Sequence, residues 1–177
     1  YMVEIEADLS ARGLPHFSMV GLPDAAVKES RDRIKAALKN IGFSFPLKQI
    51  TINLAPADLK KEGSSFDLPI AIAILSAEGI IPKEILTRFI ISGELSLDGR
   101  IKPIKGALPI ALEARKIGLK GMIIPKENAL EAAVVKGIDV YAMESLSEVI
   151  EFLSETKKSE PLLIDLTSIM NESSIYE

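Results

Sequence analysis

Apolar and polar residues alternate along 2–8, with Val3, Ile5 and Ala7 on one face and Glu4, Glu6 and Asp8 on the other. A period of two predicts a half-buried strand. Arg12-Gly13-Leu14-Pro15 reads as a turn, and His16 to Val20 as a second strand that pairs with the first. Gly21-Leu22-Pro23-Asp24 opens a helix, with Pro23 at its first position and Asp24 near the positive end of its dipole. Val27, Ile34, Leu38 and Ile41 recur at helical spacing, and Gly42 stops the run. Alternation returns over Lys48 to Leu54, where Ile50, Ile52 and Leu54 share one face of a strand. Ala55 to Ser65 is a loop carrying Pro56, Gly63 and two lysines.

Pro69 to Ala77 is apolar nearly all round. Its length, early proline and closing Gly79 favour a buried helix over a strand. Phe89 to Leu97 and Arg100 to Ile104 flank Asp98-Gly99, a strong hairpin signal. Helices are predicted over Ala107–Ile117, Ala129–Val135 and Leu146–Leu153, and strands over Met122–Ile124 and Val140–Ala142. Ser145 and Glu148 have capping-box spacing. Strands first, then mixed helices and strands, imply an α+β (mixed α/β) fold with helices packed on a sheet. After Ser154 the composition shifts to Glu, Lys, Ser and Pro161. This divides the chain into a domain over 1–154 and a linker over 155–177, as expected of a piece of something longer. Leu162-Leu163-Ile164 and Ile169-Met170 are apolar enough for part of the linker to dock.

Composition narrows the chemistry. At 177 residues, 47% apolar and 26% charged, the chain is globular rather than disordered. It has no cysteine, which removes disulfides, cysteine zinc sites and a thiol nucleophile. The single histidine, His16, reads as a packed or hydrogen-bonded residue, because metal sites need several such ligands. No apolar run reaches the roughly 18 residues of a membrane span, and Glu4, Glu6 and Asp8 break any signal-peptide core. A soluble, cytoplasmic protein without a membrane partner is the default. The net charge is −4, unevenly spread: 28–61 holds eight bases and three acids, and 100–126 seven bases and one acid. Such segments suit an anionic partner without requiring one.

The loop Lys60-Lys61-Glu62-Gly63-Ser64-Ser65 joins a strand to a helix start, where backbone N–H groups and two lysines can meet an anion. It is not a Walker A loop, and the chain has no GxGxxG. The structural reading is that Ser64 or Ser65 caps the helix, with Asp67 completing the cap. The chemical one makes Ser65 a nucleophile with Lys102 or Lys105 as base. Lys28, Arg31, Lys35 and Lys39 share one helix face; they either grip phosphates or form a solvated face with Glu29 and Asp32. Nine aromatic residues and no tryptophan argue against a base-stacking platform.

Several motifs in fixed order resemble the Mg-chelatase-like ATPases of the ComM/YifB type. They are Val20-Gly21-Leu22-Pro23-Asp24 with Lys28-Glu29-Ser30-Arg31, then Asn53-Leu54-Ala55-Pro56-Ala57-Asp58-Leu59-Lys60-Lys61-Glu62-Gly63 running to Phe66-Asp67-Leu68-Pro69. Gly93-Glu94-Leu95, Asp98-Gly99 and Pro125 with Glu127-Asn128-Ala129 continue the match, which covers about 3–153. The resemblance implies an amino-terminal domain with a ribosomal protein S5 domain 2-like fold, similar to the Lon protease domain and the RadA carboxy-terminal domain. It also implies a following AAA+ module that uses ATP and Mg2+, whose Walker motifs lie outside this chain. The ComM branch acts as a hexameric DNA branch-migration motor in natural transformation, so chlorophyll chemistry is not the expectation.

By the same resemblance, Ser65 falls on the nucleophile position of Lon-type proteases and Leu108 on their lysine position. Leucine accepts no proton, so the dyad is broken. Phe66 and Asp67 replace small residues beside it, and Lys105 would need a different geometry to substitute. The expected role is therefore a non-catalytic accessory domain that aids hexamer assembly and contacts DNA through Lys60, Lys61, Lys102 and Lys105, with no cofactor or metal of its own. The alternatives are a Ser-Lys hydrolase using Ser65 and a purely structural oligomerisation domain.

Overall fold

A computed structural model describes residues 2–155 and 159–163. The alternating segments form β1 (Glu4–Ser10), β2 (His16–Val20) and β3 (Gln49–Ala55). β1 and β2 do not pair with each other, contrary to the expectation from their proximity in sequence. β3 lies between them, antiparallel to β1 (Ala7 opposite Ile52) and parallel to β2 (Met19 opposite Ile52). The reason is burial. Ile50, Ile52 and Leu54 are fully buried and belong at the centre of the sheet, whereas β1 and β2 are only half-buried.

The first helical run divides into α1 (Ala25–Lys28) and α2 (Ser30–Asn40). Its cap is Asp24, whose side chain accepts from the Val27 N–H at 2.8 Å; Pro23 lies before the cap rather than at the first helical position. Val27, Ile34 and Leu38 are buried as their spacing predicts. The apolar run is helix α3 (Asp67–Ala77), surrounded by core on most sides. Neither Ser64 nor Ser65 caps it: the cap position is Phe66, with no side-chain hydrogen bond.

After the short α4 (Lys83–Leu86), strand β4 (Phe89–Ile91) starts a second sheet with β7 (Gly121–Pro125) and β8 (Asp139–Met143). That sheet is parallel, in the order β4-β7-β8. The Asp98-Gly99 hairpin forms as β5 (Glu94–Leu95) and β6 (Ile101–Lys102), shorter than predicted because Phe89–Ile91 leaves to join β7. α5 (Ala107–Lys116) and α6 (Ala129–Ala133) cover β7 and β8 around a second apolar cluster. α7 (Leu146–Leu153) is capped by Ser145, which accepts from the Glu148 N–H at 3.2 Å. Leu162 docks on β8 through its N–H to the Val140 carbonyl at 2.7 Å. Ile164 and Ile169-Met170 lie outside the described residues. The fold is mixed α/β, and no helix among the described residues is long and apolar enough to cross a membrane.

Candidate functional site

The two glycine-bearing motifs meet where β2 and β3 end. Pro23 bridges to Lys61, the Lys61 N–H donates to the Leu22 carbonyl at 3.0 Å, and the Asp24 N–H donates to the Lys61 carbonyl at 2.9 Å. Asp24 also accepts from the Gly63 N–H at 3.3 Å. Leu22 sits at φ +59, a left-handed backbone that strains a side chain by about 1–2 kcal/mol. These bonds hold it there.

Lys61 overturns its sequence reading as a surface cation. It is fully buried, and its Nζ donates to the Gly21 carbonyl at 2.7 Å and to the Pro56 carbonyl. The ammonium ties the ends of β2 and β3 to the loop between β3 and α3, so it is withdrawn from any nucleic-acid contact. Lys61→Met keeps the alkyl length and relieves a buried charge, but it orphans two carbonyls. We expect the orphaned acceptors to dominate, lowering stability by about 2 kcal/mol in urea unfolding.

The second buried polar group is Asp67. Its carboxylate accepts from Ser30 Oγ at 2.6 Å, Arg33 Nε at 2.6 Å, Arg33 Nη2 at 2.9 Å and the Leu95 N–H at 3.1 Å. Asp67 and Ser30 are fully buried. The hydrogen bond to Asp67 raises the Arg33 pKa above its ordinary value. The cluster joins α2, α3 and the hairpin, and four donors occupy the fully buried carboxylate. The sequence carried one signal for it: Ser30 stands on the apolar stripe between Val27 and Ile34, where a polar residue needs a buried partner.

Ser65 is half-buried on the wall of an apolar groove of about 610 Å³. Its carbonyl accepts from the Gly93 N–H at 3.0 Å. Among the described residues no lysine lines that groove, and its charged lining is Glu4 and Glu6. Leu108 packs against the second apolar cluster, and Ile110 and Ile117 flank the groove instead. Ser65 and the Leu108 position therefore do not share this groove.

The remaining cations are exposed but scattered. Lys60 lies 3.7 Å from Glu62. Lys102 stands opposite Glu94 in the hairpin and borders a shallow pocket of about 390 Å³ with Arg100 and Lys126. Both neighbours are ion-paired there, Arg100 with Asp98 at 2.9 Å and Lys126 with Glu144 at 2.8 Å. Lys105 is exposed ahead of α5. Lys28, Arg31, Lys35 and Lys39 are exposed along α1 and α2, and none is ion-paired among the described residues. Glu29 is engaged by Arg33 at 3.4 Å, and the Arg31 guanidinium lies 6.0 Å from the Phe17 ring centroid. His16 is exposed at the start of β2, and no metal-ligating cluster occurs among the described residues.

Comparison with known proteins gives this arrangement relatives. The family model described as subunit ChlI of Mg-chelatase matches residues 5–128. Competence protein ComM of Haemophilus influenzae is 44% identical over 174 residues, 98% of this chain and 33% of its own. Uncharacterized protein YifB of Escherichia coli is 44% identical over 151 residues, 85% of this chain and 29% of its own. Lon protease 2 of Bacillus subtilis is 33% identical over 127 residues, 70% of this chain and 22% of its own. The chain thus spans about a third of the length of the two closely similar relatives, and the protease likeness agrees with a Lon-like fold.

Proposed function

We propose, for a chain that belongs to the family of the Mg-chelatase subunit ChlI, a non-catalytic accessory domain of a Mg-chelatase-like ATPase, one that supports ring assembly and contacts DNA. ATP and Mg2+ would act in the rest of such a protein. One relative is a competence protein, and a DNA-handling role is what the resemblance to the ComM type implies. Among the described residues no lysine lines the groove beside Ser65 to serve as base, which favours binding over hydrolysis.

The observation that carries DNA contact is the series Lys28, Arg31, Lys35 and Lys39, exposed along α1 and α2 and without carboxylate partners among the described residues. Exposed cations at this spacing can follow a phosphate backbone and release its counterions. Lys60, Lys102 and Lys105 are secondary contacts, since the first two face carboxylates. Fluorescence anisotropy with duplex DNA across a salt series tests this. Reversing Lys28, Lys35 and Lys39 to Glu is expected to weaken binding and flatten the log–log salt slope by about 3. Reversing Lys60, Lys102 and Lys105 is expected to do less. Unchanged affinity and slope in the first variant would sink the DNA reading.

A further inference from the structure

The strands of the second sheet are parallel, so β4, β7 and β8 all end on one side of it. Ligands of open parallel sheets lie outside the carboxyl ends of the strands. The pocket of about 390 Å³ beside Lys102 occupies that place, within the roughly 300–1,000 Å³ range of ligand pockets. Lys126 and Glu127 follow β7 into its lining, and Met143 and Glu144 enter it from the end of β8. Two sets of bonds hold the hairpin wall against these strand ends. The Ile101 N–H donates to the Glu144 carbonyl at 2.8 Å, and the Leu146 N–H donates to the Gly99 carbonyl at 2.8 Å. Beyond β6, the buried Asn128 amide accepts from the Ile104 N–H at 2.8 Å and donates to the Ile104 carbonyl at 2.8 Å. The rim is thus fixed from both sides and the pocket is preformed.

Charge is sorted within it. The hairpin contributes Arg100 and Lys102, and Lys102 has no ion pair among the described residues. The strand ends contribute the Lys126–Glu144 pair and Glu127, which also has no ion pair among the described residues. The Lys126–Glu144 and Arg100–Asp98 pairs are more than half exposed at each partner. Water already weakens them, so a ligand can share their charges. Ile101 and Met143 are buried yet line the pocket, so they form an apolar floor.

We propose that this pocket binds a nucleoside monophosphate. The phosphate lies against Arg100 and Lys102, whose charged N–H donors suit its oxygens. The base lies over Ile101 and Met143, and its exocyclic amine donates to Glu127, a group that only accepts. The lining holds three bases and two acids, which matches an anion, but inorganic phosphate alone leaves Glu127 unanswered. Cytosine carries the required amine, whereas uracil would set a carbonyl against the carboxylate. The inference goes beyond the DNA reading, which rests on the cations of α1 and α2.

Nuclear magnetic resonance titration of the 177-residue chain with cytidine monophosphate tests it. Saturable shifts are expected at the amides of Ser96, Lys102 and Glu127. Lys102→Ala, at an exposed position, should weaken binding by about tenfold or more through loss of a charged hydrogen bond. Uridine monophosphate should bind about threefold more weakly than cytidine monophosphate, and Glu127→Ala should erase that preference. Reversing Lys28, Lys35 and Lys39 to Glu should leave nucleotide binding unchanged, so failure of the DNA reading and failure of this one are separable. Absence of saturable shifts overturns the proposal. So does equally tight binding of inorganic phosphate, or unchanged affinity in Lys102→Ala. Displacement of the nucleotide by a lower concentration of a single-stranded cytidine oligomer also overturns it, and would assign the pocket to nucleic acid.

Discussion

Gly21→Ala is expected to remove about 4 kcal/mol or more of folding stability, which many single domains cannot survive. A Cβ at this position would lie 2.0 Å from the Leu54 carbonyl oxygen and 2.9 Å from its carbon. Both are backbone atoms of the central strand, so no side chain can swing aside. Gly21 also has φ +107, which L side chains rarely adopt. Retreat of the Gly21 backbone would carry its carbonyl away from Lys61 Nζ. The measurement is a denaturant midpoint set beside Gly63→Ala. Gly63 has φ +87, but nothing lies within 4 Å of its added Cβ, so that variant should lose only about 1 kcal/mol. Equal losses in the two variants would show that close approach to Leu54 is not what Gly21 serves.

The second large effect is expected at Asp67. Asp67→Ala leaves the Arg33 guanidinium and the Ser30 hydroxyl facing an apolar void, with the Leu95 N–H orphaned. Breaking a buried ion pair at one partner costs about 3–5 kcal/mol. The Arg33 side chain keeps 19% exposure, so water relieves part of this and the lower end, about 3 kcal/mol, is expected. Asp67→Asn should cost less, because one oxygen still accepts from Ser30. A double-mutant cycle of Asp67→Ala with Ser30→Ala should show coupling of about 1 kcal/mol, since the two side chains touch. Strict additivity would mean that the hydrogen bond between them contributes nothing.

Strong periodicity made much of the fold legible in the sequence. The stripe Val27, Ile34 and Leu38 and the alternation Ile50, Ile52 and Leu54 each have one buried face, so period and burial agree. Asp98-Gly99 marked the hairpin, which closes as a three-residue loop over Leu97, Asp98 and Gly99 with Gly99 at φ +93. Pairing partners were harder to read. Nothing local to β1 and β2 says that a strand some 30 residues later separates them, because register depends on which strand is most deeply buried. The buried polar groups were missed for a related reason. Asp67 stands where a helix cap is common, and Lys61 stands in a run of charged loop residues. Only the tertiary fold brings Ser30 and Arg33 to one, and the Gly21 and Pro56 carbonyls to the other. The loop and the resemblance both point to Ser65, and the structure adds that no lysine among the described residues lines its groove.

The central position of β3 also sets an order of events on the ribosome. As the chain emerges, β1 and β2 appear first and have no strand to pair with until Gln49–Ala55 follows. Even then, Asp67 must arrive before Ser30 and Arg33 find their acceptor. A nascent chain stopped before α3 therefore holds three amphipathic strands and a helix without their shared core. Such a chain exposes apolar surface of the kind that makes incompletely synthesised chains prone to aggregate. Synthesis past Ala77 supplies the apolar helix and the carboxylate together, and the shared core still waits for Leu95, Ile123, Met143 and the buried residues of α7.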